Sequence, residues 1–220
     1  MHFQIRTFDS QSADWELICF LPGPPTLQPQ AGVDHGPSHL IQDGLIKNIK
    51  SVGYSTVLDE LNLSTILKKD NLLKTPRLVS KTKKTLMKII DSHTANGEFV
   101  VTIGGDHSLA IGTLSGTLNA FPEACVIWVD AHADINTPKT TESGNMHGCP
   151  VSFVLSTLKA GTYLEPFQWI KPCLQPDQLV YISLRDINMG KRKILKDHNI
   201  CCFTMHDVDR HEIGKVVEMN

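Results

Sequence analysis

The chain has 220 residues, of which 41% are hydrophobic and 20% are charged, with a formal net charge of −2. This composition is that of a globular protein, and the balanced charge argues against binding to nucleic acids or anionic membranes. The six cysteines form no C-x-x-C pair, which favours reduced thiols in the cytoplasm. The N-terminus has no signal-peptide core, and no apolar run approaches the ~20 residues of a membrane span.

Short apolar runs alternate with helical patterns along the chain. Strands are predicted over 16–20, 98–105, 124–130, 178–184 and 200–204. Helices are predicted over 37–50, 79–93, 108–119, 150–159, 190–197 and 206–218. The predicted inward faces of the first two helices are Leu40, Ile41, Leu45, Ile46 and Ile49, and then Leu86, Ile89 and Ile90, with the basic side chains of the second helix outside. Because the strands are almost continuously apolar, the pattern predicts an α/β fold with a parallel sheet covered by helices on both faces.

The domain organisation predicted from this pattern is a single domain over residues 1–220, with residues 1–14 as a flexible N-terminal segment. No internal repeat and no low-complexity linker divides the chain. Folds of this class bind their ligands beyond the carboxyl ends of the strands. The polar residues that follow each strand are therefore the candidate site residues.

Two carboxylates and a histidine follow the apolar run CVIWV directly. In an extended chain, Asp130, His132 and Asp134 would all point to one face, but Asp130 and Asp134 would then lie about 13 Å apart at roughly 3.3 Å per residue. A single metal with ligand bonds of about 2.1 Å cannot hold both carboxylates at that separation. The sequence therefore predicts either a bend after the strand or a site with two metals.

A second strand, VVTIGG, is followed by Asp106 and His107. We expect Asp106 to cap the next helix, and His107 to join Asp130, His132 and Asp134 where the two strands end. A ligand set rich in oxygen with some imidazole suits Mn²⁺ better than structural Zn²⁺, which favours thiolates. The pattern therefore predicts a manganese site.

Two further polar motifs differ in what they indicate. His147 lies between Gly144 and Gly148, shortly after the acidic cluster, and is predicted to be an acid–base group. The D-x-D pair Asp207 and Asp209 opens the last predicted helix, and we interpret it as favourable N-terminal charge rather than as a metal site.

Three long motifs occur in order along the chain: IGGDHSLAIGT (103–113), VDAHADINTP (129–138) and SGNMHGCPVSF (143–153). They resemble three successive motifs of the arginase branch of the ureohydrolases. GVDHGP (32–37) and YISLRD (181–186) resemble an early turn and a later strand of the same family. The resemblance covers nearly the whole chain, and it favours arginase over agmatinase within the family.

The resemblance implies an arginase-like sheet whose complete site holds two Mn²⁺ ions and hydrolyses L-arginine to L-ornithine and urea. It also implies a cytoplasmic enzyme of arginine metabolism and the urea cycle, and a possible homotrimer. The positions that match metal ligands are His107, Asp130, His132 and Asp134. The positions that match catalytic residues are His147, as the proton shuttle, and Asp134. The positions that match substrate-binding residues are Asn136, Thr141, Ser143 and Asn188.

Two departures from the family pattern affect the expected function. Asn188 replaces an aspartate and Lys191 replaces a glutamate at the amino end of the substrate, where the Lys191 ammonium would repel the substrate unless it turned into solvent. The family's second metal block, S-F-D-x-D-x-x-D-P, is absent from this sequence. We therefore expect a truncated arginase domain that lacks C-terminal strands and has weak or no activity. The alternatives are a non-catalytic homologue and a related amidinohydrolase that acts on another guanidino compound.

Overall fold

The computed structural model describes residues 16–20, 35–59 and 76–219. They belong to two compact units, one within Thr7–Ala120 and the other within Phe121–Asn220. Each unit contains parallel strands and helices, so the predicted α/β class is confirmed. The predicted flexible segment 1–14 lies outside the described residues, and the single domain stays a prediction.

The strands of the described chain are β1 (Glu16–Phe20), β2 (Ser55–Asp59), β3 (Phe99–Thr102), β4 (Val126–Val129), β5 (Leu179–Leu184) and β6 (Cys201–Thr204). Its α-helices are α1 (Gly36–Gln42), α2 (Leu45–Ser51), α3 (Pro76–Ala95), α4 (Ala110–Ala120), α5 (Pro150–Val154), α6 (Met189–Asp197), α7 (Met205–His211) and α8 (Ile213–Glu218). Short 3₁₀ helices cover His107–Leu109, Met146–Gly148, Ala160–Tyr163, Glu165–Phe167 and Pro176–Gln178. None of the described helices is both long enough and apolar enough to cross a membrane.

The first unit contains a three-stranded parallel sheet in the order β2-β1-β3. The sequence pattern did not predict β2, because the segment STVLD is short and has no continuous apolar run. Its apolar side chains Val57 and Leu58 are both 41% exposed. A strand that buries so little apolar surface does not need the apolar pattern by which strands are predicted.

The predicted helix over 37–50 is wrong as a single element. The chain forms α1 and α2 instead, and Gly44, at the N-cap of α2, has a φ of 93°. Backbone in that left-handed region cannot continue a right-handed helix, and glycine adopts it without steric cost. The predicted inward face changes accordingly, because Leu40 is 37% exposed and Leu45 is only half-buried.

Helices α3 and α4 pack tightly against each other in the first unit. Leu86 and Ile90 of α3 are fully buried, and Ile89 packs against them, as predicted. A β-carbon added at Gly112 would lie 2.7 Å from the Lys83 carbonyl oxygen, and one added at Gly116 would lie 2.6 Å from the Met87 carbonyl oxygen. Both glycines therefore allow the backbone of α4 to approach that of α3.

The expectation that the basic residues of α3 all face outward is wrong for Lys83. This side chain is 8% exposed, and burial lowers its pKa from 10.5 to about 8, an effect that the nearby charge of Asp106 only partly offsets. Removing a charged group from water costs free energy. Lys83 therefore reduces the stability of the first unit at neutral pH.

We expect Lys83→Met to stabilise the protein by about 2 kcal/mol at pH 7, since a pKa lowered by burial is a direct cost in stability. In the parent protein the unfolded chain binds more protons than the folded one between pH 8 and 10.5, so this lysine makes stability rise with pH over that range. The variant should lose that rise. Denaturant unfolding at pH 7 and at pH 10 tests this, with the exposed neighbour substitution Lys84→Met as the control. A Lys83→Met variant that is less stable than the parent at pH 7 would contradict the expectation.

The second unit contains a parallel sheet in the order β4-β5-β6. Its core holds large aromatic side chains in two edge-to-face pairs. Trp128 and Tyr181 have ring centroids 6.4 Å apart, and Phe153 and Phe167 have centroids 4.9 Å apart. All four are almost completely buried. The Trp128–Tyr181 contact joins β4 and β5, the strands that precede the acidic cluster and the start of α6.

Two helices predicted in the second unit have different bounds in the structure. The helix predicted over 150–159 ends at Val154, because Leu155 is extended and pairs with Leu174. The helix predicted over 206–218 is broken at Glu212, whose φ is 64°. Val216 of α8 is fully buried, whereas Val217 is 52% exposed, so the apolar residues of this segment do not form one buried face.

Candidate metal centre

The chain bends directly after β4 and stays beside the end of β5. The Asp130 N–H donates to the Ile182 carbonyl, and the Ala131 carbonyl accepts from the N–H groups of Arg185 and Asp186, at 3.2, 3.0 and 2.9 Å. Asp134 then has a φ of 44°, in the left-handed region that reverses the direction of the chain. The strand therefore ends before the acidic cluster.

The bend brings the two carboxylates together. One carboxylate oxygen of Asp130 and one of Asp134 lie within 4.8 Å of each other, instead of the roughly 13 Å expected for an extended chain. Of the two alternatives in the sequence, the bend is confirmed. Asp134 is 5% exposed, so its charge is buried, and a shared cation would offset the repulsion between the two carboxylates.

His132 lies between two carboxylates in the same segment. Its backbone N–H donates to Asp130 Oδ1 at 3.1 Å, its Nδ1 lies 3.5 Å from the same oxygen, and its Nε2 lies 3.3 Å from Asp186 Oδ2. Sequence reasoning missed Asp186. The available signal was its position at the end of YISLRD, directly after β5.

His107 belongs to the first unit and opens the 3₁₀ helix that precedes α4. Asp106 is the N-cap of this helix and accepts from the Ser108 N–H at 3.0 Å, which confirms its predicted role. His107 as a metal ligand stays a prediction. Of the D-x-D pair, Asp207 lies in the first turn of α7 and forms a capping box with Thr204, which agrees with its prediction as favourable N-terminal charge.

The segment after the cluster is held by hydrogen bonds across a wide loop. The backbone carbonyl of Asp134 accepts from the Val151 N–H, and the Asn136 N–H donates to the Gly148 carbonyl, both at 3.1 Å. The buried Ser152 hydroxyl donates to the Asn136 carbonyl at 2.8 Å. These bonds place residues 134–136 against the segment that carries His147, as two neighbouring parts of one loop.

Hydrogen bonds within the loop orient the predicted substrate-binding side chains. Asn136 Oδ1 accepts from the Thr140 hydroxyl at 3.4 Å, Thr141 Oγ1 accepts from the Gly144 N–H at 3.1 Å, and Ser143 Oγ accepts from the Asn145 N–H at 3.2 Å. These are short-range contacts that leave the Asn136 amide protons and the Ser143 hydroxyl proton to be donated to a ligand, whereas the Thr141 hydroxyl also bonds to Cys149. Their role in substrate binding stays a prediction.

His147 is partly buried on the 3₁₀ helix Met146–Gly148. Among the described residues, its buried Nδ1 atom has no hydrogen-bond partner. A neutral imidazole carries one donor and one acceptor nitrogen, so it can hold a proton at one atom and accept one at the other. This geometry is compatible with the acid–base role predicted from the sequence.

Asn188 and Lys191 lie at the start of α6, in the same unit. Asn188 is the N-cap, and its side-chain oxygen accepts from the Lys191 N–H at 3.0 Å. Lys191 is 9% exposed, so most of its side chain is buried. Its charge acts on Cys149, whose thiol pKa is raised to about 11, mainly by burial.

Tyr181 contacts the segment that carries the acidic cluster. Its hydroxyl, on β5, donates to the Ala133 carbonyl at 2.6 Å, between His132 and Asp134, and the side chain is fully buried. Burial, together with the charge of Asp134, raises the pKa of Tyr181 well above its usual value, so the hydroxyl keeps its proton as a donor.

We expect Tyr181→Phe to cost about 1–2 kcal/mol in stability, because the buried Ala133 carbonyl loses its donor. The loosened segment should also bind Mn²⁺ about tenfold more weakly, as for other residues that orient metal ligands. Calorimetric titration with Mn²⁺ and denaturant unfolding measure the two effects. The control is Tyr163→Phe, whose side chain is 77% exposed. Equal Mn²⁺ affinity in Tyr181→Phe and the parent would contradict the positioning role.

Comparisons with known proteins agree with the geometry. The model of the arginase family matches residues 19–220. The chain is 54% identical over 200 residues to an arginase of Glaciozyma antarctica, and 45% identical over 196 residues to the mitochondrial arginase-2 of Homo sapiens. Each alignment covers 87% of this chain, which spans 58% and 55% of the length of those two relatives.

Solved structures show the same fold. The crystal structure of the cold-adapted arginase from G. antarctica has a TM-score of 0.77 at 46% identity, over 99% of this chain and 72% of that chain. An arginase structure from Bacillus subtilis has a TM-score of 0.80 at 29% identity, over 93% and 69%. Because the family model spans most of the chain and the solved arginases share its architecture, the chain belongs to the arginase family.

Proposed function

We propose that the protein hydrolyses L-arginine to L-ornithine and urea with bound Mn²⁺. The observation that carries the proposal is the bend after β4, which brings the oxygens of Asp130 and Asp134 within 4.8 Å in a chain of the arginase family. The two carboxylates could not both bind one ion if the chain continued as an extended strand.

The donor set supports manganese. We propose that His107, Asp130, His132 and Asp134 hold the metal, since carboxylate oxygens with imidazole nitrogens suit Mn²⁺, and the described ligand candidates include no thiolate. A bound divalent ion supplies Lewis acidity, which makes water a nucleophile near neutral pH. The buried carboxylate of Asp134 and the support of Tyr181 keep this segment in a fixed shape.

The remaining roles belong to side chains of the loop 134–149. We propose that Asn136, Thr141 and Ser143 donate hydrogen bonds to the carboxylate of the substrate, because amide and hydroxyl groups orient an anion without adding a charge near the metal. We propose that Asn188 binds the amino end of the substrate. His147 is proposed to hold and move the proton that the leaving amine requires, since its Nδ1 has no competing partner among the described residues.

The test is urea release from L-arginine by the purified protein, after removal of metal and after reloading with Mn²⁺. We expect release that depends on Mn²⁺ and is lost on chelation. His147→Asn should lose about 100-fold or more in turnover while it keeps its Mn²⁺, as for other acid–base residues. The matched control is His206→Asn, at an exposed histidine of α7. Absence of urea release at every Mn²⁺ concentration would refute the proposal.

We further propose a cytoplasmic homotrimer in arginine metabolism and the urea cycle. The thiols of Cys125, Cys149 and Cys173 are free, as in proteins of reducing compartments, and this supports the proposed location. The family resemblance supports the trimer. Light scattering of the purified protein, and fractionation of cells that produce it, measure the two properties.

A further inference from the structure

The first turn of α6 holds a lysine whose side chain is largely buried. Lys191 is 9% exposed, and its backbone N–H is used by the Asn188 cap. Within the part of the chain that the structure describes, the Lys191 ammonium has no hydrogen bond and no ion pair. An ammonium that ends a largely buried side chain and has no protein partner can bind an anionic ligand through a charge-assisted hydrogen bond.

This charge lies against the loop that carries the proposed substrate-binding residues. A β-carbon added at Gly190 would lie 3.9 Å from the Thr140 β-carbon, so the first turn of α6 contacts the loop. The Lys191 charge also acts on the Cys149 thiol, to which the Thr141 hydroxyl forms a hydrogen bond. Lys191 therefore lies beside residues of the loop 134–149.

The helix terminus adds to the positive potential. The nine-residue helix α6 directs its unpaired N–H groups and the positive end of its dipole toward this turn. An anion is stabilised at such a position, and a cation is repelled. Asn188 caps the helix as a neutral amide, so the turn carries no carboxylate that would neutralise Lys191.

We propose that Lys191 and the first turn of α6 form an anion subsite that selects guanidino carboxylates without an amino group over L-arginine. The proposal rests on the proposed function, because it assumes that the site binds a guanidino compound. The carboxylate of such a compound, held by the donors of the loop 134–149, is also attracted by the Lys191 ammonium. The ammonium of L-arginine is repelled by the same charge, and a guanidino amine that lacks a carboxylate is repelled without any compensating contact.

The test compares three probes on the full chain loaded with Mn²⁺: 4-guanidinobutanoate, L-arginine and agmatine. Calorimetry measures binding, and urea release measures turnover. We expect 4-guanidinobutanoate to bind most tightly and agmatine most weakly. Lys191→Gln should weaken 4-guanidinobutanoate by about tenfold, the usual effect of losing a charged hydrogen bond, and should strengthen agmatine. Lys191→Arg should keep the parent's order of affinities.

The matched control is Lys193→Gln, on the same helix, at an exposed side chain paired with Asp197. It should leave all three affinities unchanged. A Lys191→Gln variant that melts like the parent and has the parent's ratio of affinities would overturn the subsite, as would a parent that prefers L-arginine to 4-guanidinobutanoate. If no probe yields urea but binding depends on Lys191, the hydrolytic function fails and the subsite stands. If L-arginine is hydrolysed and binding does not depend on Lys191, the subsite fails and the function stands.

Discussion

Asp134→Asn is expected to lower Mn²⁺ affinity by more than about 100-fold, since even residues behind the metal ligands contribute 10- to 100-fold. Asp134 is buried, and its carboxylate oxygen lies within 4.8 Å of one from Asp130. Asparagine keeps the shape and tolerates the positive φ of 44° at this position, so the substitution removes the charge and leaves the bend. Urea release from L-arginine should fall with the metal.

The measurement is a calorimetric Mn²⁺ titration, supported by the shift in melting temperature that bound Mn²⁺ produces. Asp209→Asn is the matched control, because Asp209 belongs to the other D-x-D pair of the chain and is exposed on α7. It should bind Mn²⁺ as the parent does. Parent-like Mn²⁺ affinity in Asp134→Asn would remove this residue from the metal centre.

Gly116→Ala is expected to destabilise the protein by about 3 kcal/mol, at the upper end of the range for overpacked cores. The added β-carbon would lie 2.6 Å from the Met87 carbonyl oxygen and 2.7 Å from the Ile90 β-carbon. Both neighbours are fixed, one in the backbone of α3 and one in the buried cluster of Leu86 and Ile90. The two helices must therefore separate, which exposes the contact surface between them.

The control for this prediction is Gly214→Ala in α8, where an added β-carbon would have no atom within 4 Å. Alanine is the better helix former, so this variant should gain up to about 1 kcal/mol. Denaturant unfolding of the two variants and the parent gives both values. Equal stability of Gly116→Ala and the parent would show that α3 and α4 do not pack as closely as the structure has them.

The sequence predicted those elements whose signal is local. The strands β4, β5 and β6 come from short apolar runs, and their predicted positions are correct within two residues at each end. The N-cap role of Asp106 and the place of Asp207 in the first turn of α7 were predictable as well, because both need only a carboxylate at the start of a helix. The strand β2 was missed, since an exposed edge strand needs no continuous apolar run.

Some helix boundaries could not be predicted, because they depend on partners distant in the chain. Leu155 leaves the helical conformation to pair with Leu174, and the pattern of apolar residues carries no sign of that contact. The breaks at Gly44 and Glu212 are single residues with positive φ inside apolar periodicity that would suit one long helix. Tertiary packing overrides the local helical preference at Leu155, whereas Gly44 is a local helix-ending residue that the apolar periodicity concealed.

What the sequence determined by itself is the family and the chemistry of the candidate site. Asp130, His132 and Asp134 follow an apolar strand, and residues that follow a parallel strand lie at the carboxyl edge of the sheet. Only the tertiary structure decided that the chain bends after β4, so that Asp130 and Asp134 approach each other, and that most of the Lys191 side chain is buried. The bend depends on hydrogen bonds to the end of β5, and the burial depends on the loop against α6. Both contacts join segments tens of residues apart, so neither can be inferred from the pattern of a single segment.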